Sequence, residues 1–372
     1  PILAEQVVRS TLEAEYKRPL SEVFEEFSFK PLATASIGQV HEARHRGRRV
    51  VVKFARPGIC AQLRQDSRIA LILLDFTIRA CYRLRIPVLA AVASAYRQAV
   101  REISTGMMEE TDLEHERKNA ETLLKATADI QDLVIPRLVP ELCTQNVLAM
   151  EYISGTKISD IEALRRQGHD FTDVMNRLVA IYVRMIIVKG VYHADPHPGN
   201  IQVLSDGRIL LYDFGIVRTL SSTTRKHLFH LAMAAIRKDL ETVIDKLYCL
   251  GILKASADRT IALDVAQRFV SLHFQGLNSR DRIGEIAETI YSAFQGFPLE
   301  LPQELVYVFR CLSLIEGLGT RYRPGWNFLA DGYPGIRSAL TEYLLQTEGR
   351  WWQLFTGFLQ MLFNRLADRL RR

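Results

Sequence analysis

Apolar and polar residues recur along the chain with two different periods. Near the start, Leu3, Val7, Val8 and Leu12 follow the spacing of an amphipathic helix, which we predict over residues 3–16. Later segments are short, rich in β-branched and aliphatic residues, and bounded by Gly, Pro or Asp, as strands are. The predicted strands are residues 38–44 and 50–54, 133–135 and 147–152, and 201–204 and 209–212.

Long helical segments separate these strand pairs. Residues 61–126 are predicted to be helical almost throughout, with a break near Pro87. Another helix is predicted from about Thr172, as its N-cap, to Gly190, as its C-terminal stop. After Thr223 the pattern indicates only helices and loops. Since strands and helices do not alternate regularly, the predicted class is α+β, with a small β-containing lobe followed by a mainly helical one.

The element order predicts four parts of the chain. The small lobe carries a helical insert at residues 57–126, and the last part is an amphipathic basic tail. In chain order, the predicted parts are an N-terminal helical extension (1–28), an N-lobe with the insert (29–155), a C-lobe (156–340) and the tail (341–372).

Composition narrows the class of protein. The chain has 372 residues, a formal net charge of +6 and 48% hydrophobic residues, which excludes disordered and collagen-like classes. Its five cysteines are scattered without a C-x-x-C pair, which argues against zinc and a disulfide scaffold and favours a reducing compartment. The longest apolar run, 351–363, is shorter than the about 20 residues of a membrane-spanning helix. The charge is too mild to indicate nucleic acid by itself.

The most specific motif is the loop from His193 to Asn200, which has the form H-x-D-x-x-x-x-N. Phosphoryl transfer needs an acid that orients or deprotonates the acceptor and an oxygen ligand for Mg²⁺ nearby, and Asp195 and Asn200 have the right chemistry. The triplet Asp213-Phe214-Gly215 follows at the end of a predicted strand, where a carboxylate can hold Mg²⁺ on phosphates. His193 and His197 fit a metal pair poorly, because prolines interrupt their loop.

Two further residues complete a phosphate site. Lys53 lies on the second predicted strand, where a lysine neutralises nucleotide phosphates, and the acidic helical stretch 110–116 offers a carboxylate to pair with it. Each feature alone is weak: a D-F-G triplet often occurs by chance, and a strand lysine is usually solvated. Their order along the chain is that of a protein kinase, and this order carries the prediction.

The chain departs from ordinary protein kinases in three ways. Residues 31–39, where a glycine-rich phosphate loop is expected, contain one glycine, so we expect altered nucleotide handling. Ala194 replaces the arginine of the H-x-D motif, and no A-P-E triplet follows Asp213. The hydroxyls of residues 221–224 are expected to cap the next helix. These departures disfavour a conventional Ser/Thr protein kinase.

The departures themselves form a pattern. The strings are P-L-A-T-A-S-I-G-Q-V-H-E-A (31–43), V-V-K-F-A-R-P-G (51–58), E-T-D (110–112) with Glu116 and Asn119-Ala120, M-E-Y-I-S-G (150–155), H-A-D-P-H-P-G-N (193–200) and D-F-G (213–215). Together they resemble the UbiB family, also called aarF-domain or ADCK proteins, of atypical protein-kinase-like proteins. The resemblance covers about residues 20–335.

This resemblance implies a kinase-like fold that binds ATP with Mg²⁺, and it assigns roles. Lys53 would bind phosphate, Glu116 would pair with it, Asp195 would be catalytic, and Asn200 and Asp213 would hold the metal. Glu110 and Asp112 match the family's E-x-D motif near the nucleotide. The complete predicted nucleotide-binding set is Ala33, Ala35, Ser36, Ile37, Gly38, Gln39, Lys53, Glu110, Asp112, Met150, Glu151, Tyr152 and Ile153.

The resemblance also implies a function beside lipid membranes. The expected activity is that of an ATPase or a small-molecule or lipid phosphotransferase supporting prenyl-quinone or isoprenoid-lipid metabolism. The alternative is a non-catalytic, nucleotide-gated scaffold for lipid-biosynthetic enzymes. Expected partners are ATP, a lipid or prenyl-quinone precursor, and quinone-biosynthetic enzymes, and no nucleic acid. The expected location is the cytoplasmic face of a bacterial membrane, or a mitochondrion or plastid, with peripheral attachment.

Both ends of the chain carry expectations. The family's N-terminal K-x-G-Q element is missing, since neither Lys17 nor Lys30 is followed by x-G-Q, so we expect the sequence to begin just after it. From Arg350 to Arg372 there are five arginines and one aspartate, which gives +4. This composition fits a helix lying on a membrane surface and equally a helix packed on the C-lobe.

Overall fold

The computed structural model describes residues 2–34, 38–84, 111–264 and 300–347, with isolated positions at 86, 89, 92–94, 96, 97, 100, 101, 104 and 267. The chain divides into two compact units, each built from several segments. Unit 1 comprises Pro1–Leu124, Ile135–Ser154 and Asp213–Ile216, and unit 2 comprises Lys125–Val134, Gly155–Tyr212 and Val217–Arg372. The domain boundaries predicted from the sequence stay predictions.

The strands of the described residues are short except for two in unit 1. They are β1 Glu26–Phe27, β2 Ala33–Thr34, β3 Gly38–His45, β4 Arg48–Ala55, β5 Leu133–Val134, β6 Val147–Glu151, β7 Thr156–Lys157, β8 Val191–His193, β9 Ile201–Val203, β10 Ile209–Leu211 and β11 Val217–Thr219.

More of the helices among the described residues lie in unit 2 than in unit 1. They are α1 Glu5–Tyr16, α2 Leu20–Val23, α3 Ile59–Arg83, α4 Leu113–Ala126, α5 Ile161–Arg166, α6 Phe171–Val183, α7 Ser222–Arg237, α8 Leu240–Cys249, α9 Gln303–Tyr322 and α10 Tyr333–Thr347. A π-helix, Arg184–Lys189, continues α6, and single 3₁₀ turns occur at Pro140–Leu142 and Pro198–Asn200.

Unit 1 is organised around an antiparallel sheet of order β1-β3-β4-β6, with β2 paired to β3. One face of the sheet packs Val50, Val52 and Phe54 of β4 against Val8 and Leu12 of α1. Because side chains alternate along a strand, Lys53 lies on the opposite face from these three core residues. The predicted helix at the start and the predicted strand pair are confirmed, and their pattern of apolar positions explains the packing.

Unit 2 contains a four-stranded sheet of order β5-β10-β9-β7 and a separate pair, β11-β8. The antiparallel pairing of β9 with β10 confirms the predicted hairpin. The strands β7, β8 and β11 were not predicted from the sequence. Each has only two or three residues, so an alternating pattern has no room to develop.

The predicted N-cap of the long helix in unit 2 is wrong by two residues. Asp170, not Thr172, caps α6, and its carboxylate accepts hydrogen bonds from the backbone N–H groups of Thr172 and Asp173. The C-terminal prediction is confirmed, since the helical segment ends at Gly190 with φ +69°. The last six residues before Gly190 form a π-helix, and Arg225 donates a hydrogen bond to the carbonyl of Val188 (2.7 Å). This bond satisfies a backbone group that the helix end leaves open.

Some predictions fall outside the described residues. The break expected near Pro87 and residues 348–372 of the predicted basic tail lie there. Within the described residues, none of the helices combines the length and the apolar composition that crossing a membrane requires.

Candidate functional site

Lys53 is the centre of a charged cluster in unit 1. Its Nζ donates hydrogen bonds to both carboxylate oxygens of Glu116, at 2.8 and 2.7 Å, and lies 3.6 Å from Oδ1 of Asp213. The side chains of Lys53 and Glu116 are only 13% and 3% exposed. The pairing predicted between these two residues, 63 positions apart, is therefore present as a buried ion pair.

The start of α4 places Glu116. Asp112 precedes the helix, and its Oδ1 accepts a hydrogen bond from the backbone N–H of His115 (2.9 Å), which is a capping interaction. Glu116 then lies in the first turn. Its Oε1 also accepts from the backbone N–H of Phe214 (3.3 Å), so one buried carboxylate holds both the lysine and the D-F-G segment.

Burial and charge act against each other at this pair. Burial by itself would lower the pKa of Lys53, but the nearby carboxylates of Glu116 and Asp213 outweigh it, so the pKa of Lys53 is raised. Burial also raises the pKa of Glu116, and the Lys53 ammonium opposes that effect. The carboxylates thus keep Lys53 protonated, which the role predicted for it in phosphate binding requires.

The D-F-G segment has an unusual backbone at its first residue. Asp213 has φ +61°, in the left-handed region that non-glycine residues rarely occupy. Its Oδ1 accepts from the backbone N–H of Gly215 (3.2 Å), while Phe214 is fully buried. Asn119, one turn after Glu116, donates to the carbonyl of Phe214 (2.9 Å). The buried phenylalanine and these bonds hold a half-exposed carboxylate in a fixed position.

Unit 2 contributes a second group of residues. Asn200 ends the 3₁₀ turn Pro198–Asn200, and its Nδ2 donates to the backbone carbonyl and to Oδ2 of Asp195, both at 3.2 Å. The other carboxylate oxygen of Asp195 accepts from Nη2 of Arg310 on α9 (3.1 Å). Sequence reasoning missed Arg310, since nothing in its local sequence relates it to a residue 115 positions earlier.

Both histidines of the catalytic-loop motif already have structural partners. His193 is fully buried; its Nε2 donates to the carbonyl of Tyr212, and its Nδ1 accepts from the Tyr182 hydroxyl, both at 3.2 Å. Nδ1 of His197 accepts from the backbone N–H of Gly199 (3.1 Å). These bonds shape the loop that carries Asp195.

Gly38, the single glycine of residues 31–39, has a packing role. A Cβ on Gly38 would lie 2.5 Å from the carbonyl oxygen of Phe54, so no other residue allows β3 and β4 to approach this closely there. Gln39, the next residue, is fully buried, and its amide contacts His41 at 3.3 Å. Ala33 lies exposed in the edge strand β2. Ala35, Ser36, Ile37 and Glu110 fall outside the described residues.

The predicted Met150–Ile153 segment begins in β6. Met150 is buried opposite Val51, and the Glu151 carboxylate accepts from the backbone N–H of Arg137 (3.3 Å). The Tyr152 ring is covered by the guanidinium of Arg49 at 3.9 Å. Their roles in nucleotide binding stay predictions.

The donors predicted to hold a metal are hard oxygens. Asp213 offers a carboxylate that is half exposed, and the bonds of Nδ2 in Asn200 to Asp195 leave its amide oxygen for a cation. Among the described residues, no group of three or more His, Cys, Asp and Glu side chains is arranged to hold a metal. A single hard oxygen of either kind is a suitable protein ligand for Mg²⁺, which is usually held by one or two protein oxygens together with substrate phosphates.

Comparisons with known proteins indicate which family the chain is similar to. The family model described as the ABC1 atypical kinase-like domain matches residues 1–247. An uncharacterized protein of Synechocystis sp., sll0095, is 30% identical over 88% of this chain and 58% of its own length. The Arabidopsis thaliana protein ACTIVITY OF BC1 COMPLEX KINASE 7, chloroplastic, is 28% identical over 94% of this chain and 49% of its own length. The chain thus spans about half the length of the curated relatives it matches.

A solved structure shows the same fold. The Rv3197–erythromycin complex from Mycobacterium tuberculosis aligns with a TM-score of 0.60, covering 87% of this chain and 84% of that chain at 22% identity. At that identity the likeness concerns the fold alone, and it confirms the predicted kinase-like α+β class. With two thirds of the chain matched by the family model, the protein belongs to the ABC1 atypical kinase-like family, and its resemblance to the UbiB or aarF-domain proteins is confirmed.

Proposed function

We propose that the protein binds ATP with Mg²⁺ and catalyses transfer of the terminal phosphoryl group to water or to a lipid-like acceptor. The observation that carries this proposal is the buried Lys53–Glu116 pair with Asp213 beside it. Burying a cation is costly unless a carboxylate compensates it. A cation maintained at that cost, next to a half-exposed carboxylate on a strained backbone, is typical of a functional site.

Each residue has one part in the proposed reaction. Lys53 neutralises nucleotide phosphate oxygens, and Glu116 keeps it protonated and in place. The acceptor oxygen forms a bond to the terminal phosphorus while the bond from that phosphorus to the bridging oxygen breaks, and the electron pair leaves with ADP. Asp195 takes the proton of the acceptor. With water as acceptor, the products are ADP and inorganic phosphate.

Asp213 and Asn200 would hold Mg²⁺, which neutralises phosphate charge when it is bound. Asp213 is fixed for this purpose by its own bond to Gly215, and Asn200 by its two bonds to Asp195. Each of the two side chains is thus held in one orientation within its own unit.

For the acceptor, we propose an isoprenoid lipid or a prenyl-quinone precursor, taken up at a membrane surface. Support comes from the sequence motifs shared with the UbiB proteins and from the +4 charge of the last 23 residues, which suits anionic lipid. Relatives from Arabidopsis are named chloroplastic, so a plastid is one proposed location, beside a mitochondrion and the cytoplasmic face of a bacterial membrane. The proposed attachment is peripheral, and quinone-biosynthetic enzymes are the proposed partners.

The test measures ATP turnover by the purified chain with and without Mg²⁺ and with and without liposomes containing anionic lipid. We expect Mg²⁺-dependent turnover that rises with liposomes and falls about 100-fold or more in Asp195→Asn, since general acid–base groups contribute at least that much. Asp206→Asn is the matched control, because it removes an exposed carboxylate from the β9–β10 turn of the same unit.

Other outcomes have distinct meanings. If the protein bound nucleotide but did not turn it over, the result would favour the non-catalytic, nucleotide-gated scaffold over the enzyme. If the wild type bound no nucleotide in the presence of Mg²⁺, and Asp213→Asn behaved in the same way, both the enzyme and the scaffold would be overturned. Phosphorylation of peptides in trans at ordinary kinase rates would indicate a conventional protein kinase.

A further inference from the structure

Both oxygens of the Asp195 carboxylate are held by side chains of unit 2. Asn200 holds Oδ2 at 3.2 Å, and the guanidinium of Arg310 holds Oδ1 at 3.1 Å. A carboxylate held at one oxygen can rotate about its Cβ–Cγ bond, whereas one held at both oxygens has its plane fixed. The second bond therefore decides the orientation of this group.

The helix that carries Arg310 is fixed beside the catalytic loop. Cys311, the next residue on α9, is fully buried, and its Sγ lies 3.7 Å from the carbonyl oxygen of His193. Burial raises the pKa of the Cys311 thiol to about 12, so this side chain stays neutral and packs as an apolar group. Its position leaves the preceding side chain, Arg310, at the loop.

The same helix contacts the segment after the D-F-G triplet. The Glu304 carboxylate accepts from the backbone N–H of Ser221 (2.7 Å) and from the Thr224 hydroxyl (2.8 Å). The ring of Tyr307 packs under the guanidinium of Arg218 at 4.4 Å. Residues 304, 307 and 310 are spaced three apart, so they follow one side of α9 along its first turns. The guanidinium of Arg310 is thus placed by a series of contacts.

A purely stabilising role explains little of this arrangement. Arg310 is 47% exposed and Asp195 is 28% exposed, and ion pairs between exposed side chains contribute little to stability. The planar guanidinium is instead suited to fix the direction of a carboxylate.

We propose that Arg310 is a positioning residue that holds Asp195 in the orientation required to receive the acceptor proton. The inference rests on the proposed function, because it assigns Asp195 to the proton transfer. It names a dependence of the catalytic loop on α9 that the motifs do not contain. Arg310 itself acts through Asp195 and takes no part in proton transfer.

The test compares steady-state ATP turnover by the wild type, Arg310→Ala, Arg310→Lys and Arg310→Gln. We expect kcat to fall about 10- to 100-fold in Arg310→Ala with little change in KM for ATP, because a misplaced reacting group costs about that much. Arg310→Lys should recover part of kcat through a single bond, and Arg310→Gln should recover less. Added methylguanidinium should raise kcat of Arg310→Ala only, since only that variant has room for it.

Arg321→Ala is the matched control, because it removes an exposed arginine from the end of the same helix. Its kcat should equal that of the wild type. Thermal unfolding shows whether each variant is folded. If Arg310→Ala does not fold, Arg310→Lys and Arg310→Gln still test the proposal.

The outcomes separate the two proposals. Wild-type kcat in Arg310→Ala, or a higher kcat, would overturn the positioning role and leave the proposed function intact. A rise in KM alone would also overturn it, by indicating that Arg310 binds the nucleotide. If the wild-type chain showed no turnover, the proposed function would fall, and this inference with it.

Discussion

Each unit contains an ion pair in the candidate site, and the two pairs differ in their exposure to water. In unit 1, Lys53 and Glu116 form an ion pair with side chains 13% and 3% exposed. In unit 2, Arg310 and Asp195 form an ion pair in which the arginine is 47% exposed. Water can replace a lost partner in the second pair but not in the first. Each pair joins a cation to a carboxylate of the proposed site, yet we expect folding to depend on both partners only in the buried pair.

This difference separates function from stability. In the buried Lys53–Glu116 pair, the lysine proposed to bind phosphate is also buried inside its unit, so removing it should damage the fold and the activity together. In the more exposed Arg310–Asp195 pair, a substitution should abolish activity while the fold remains.

Glu116→Ala should lower the free energy of unfolding by about 3–5 kcal/mol, because it leaves the Lys53 ammonium buried with its main partner removed. Urea denaturation followed by circular dichroism measures this change. Glu114→Ala on the same helix is the control, since that carboxylate is on the surface and pairs with Arg117, and little change is expected. Equal losses in the two variants would contradict the contrast.

The double substitution Lys53→Met with Glu116→Leu should recover most of the stability lost in Glu116→Ala, since apolar residues of similar volume can replace a buried ion pair. The Phe214 N–H loses its acceptor, so recovery should be incomplete. The same protein should not bind nucleotide, which equilibrium binding with a fluorescent ATP analogue would show. Retained binding would remove Lys53 from the proposed phosphate site.

Stability in alkaline solution should also depend on Lys53. Its pKa in the folded protein is raised above 10.5, so its contribution is complete below about pH 10.5 and is lost as the pH rises through the folded value. The wild type should therefore lose stability faster than the double variant above that pH, by at most about 1.4 kcal/mol per pH unit. Parallel curves of unfolding free energy against pH would show that the pair does not couple to folding.

Asp195→Asn should change the free energy of unfolding by no more than about 0.5 kcal/mol, because the amide keeps an oxygen for Arg310, Asn200 keeps its bond to the backbone carbonyl of residue 195, and water can reach the site. Turnover should nevertheless be lost. Urea denaturation and the turnover assay on the same preparation measure both effects. A large loss of stability would show that the two clusters do not differ in the way described.

The strand pair that carries Lys53 could be predicted because its information is local. Val50, Val52 and Phe54 alternate with residues of the other face over a strand of eight residues. Two- and three-residue strands such as β8 and β11 gave no comparable pattern, since their existence depends on the partner strand rather than on their own residues. The N-cap of α6 was misassigned for a related reason. Asp170 and Thr172 are both suitable caps, and the backbone path decides between them.

For the candidate site, the residue types and their order along the chain can be read directly from the sequence. Lysine on a strand, acid on a helix, the H-x-D-x-x-x-x-N loop and D-F-G predicted a kinase-like protein, and the strings that depart from ordinary kinases pointed to the family. Which groups from different segments touch depends on the packing of the folded chain. The bonds of Arg310 to Asp195 and of Asn119 to Phe214 join positions 115 and 95 residues apart. The close approach of Gly38 to the carbonyl oxygen of Phe54 is likewise a contact between two strands that the local sequence does not show. Such contacts are set by how helices and strands pack, and local sequence does not encode that packing.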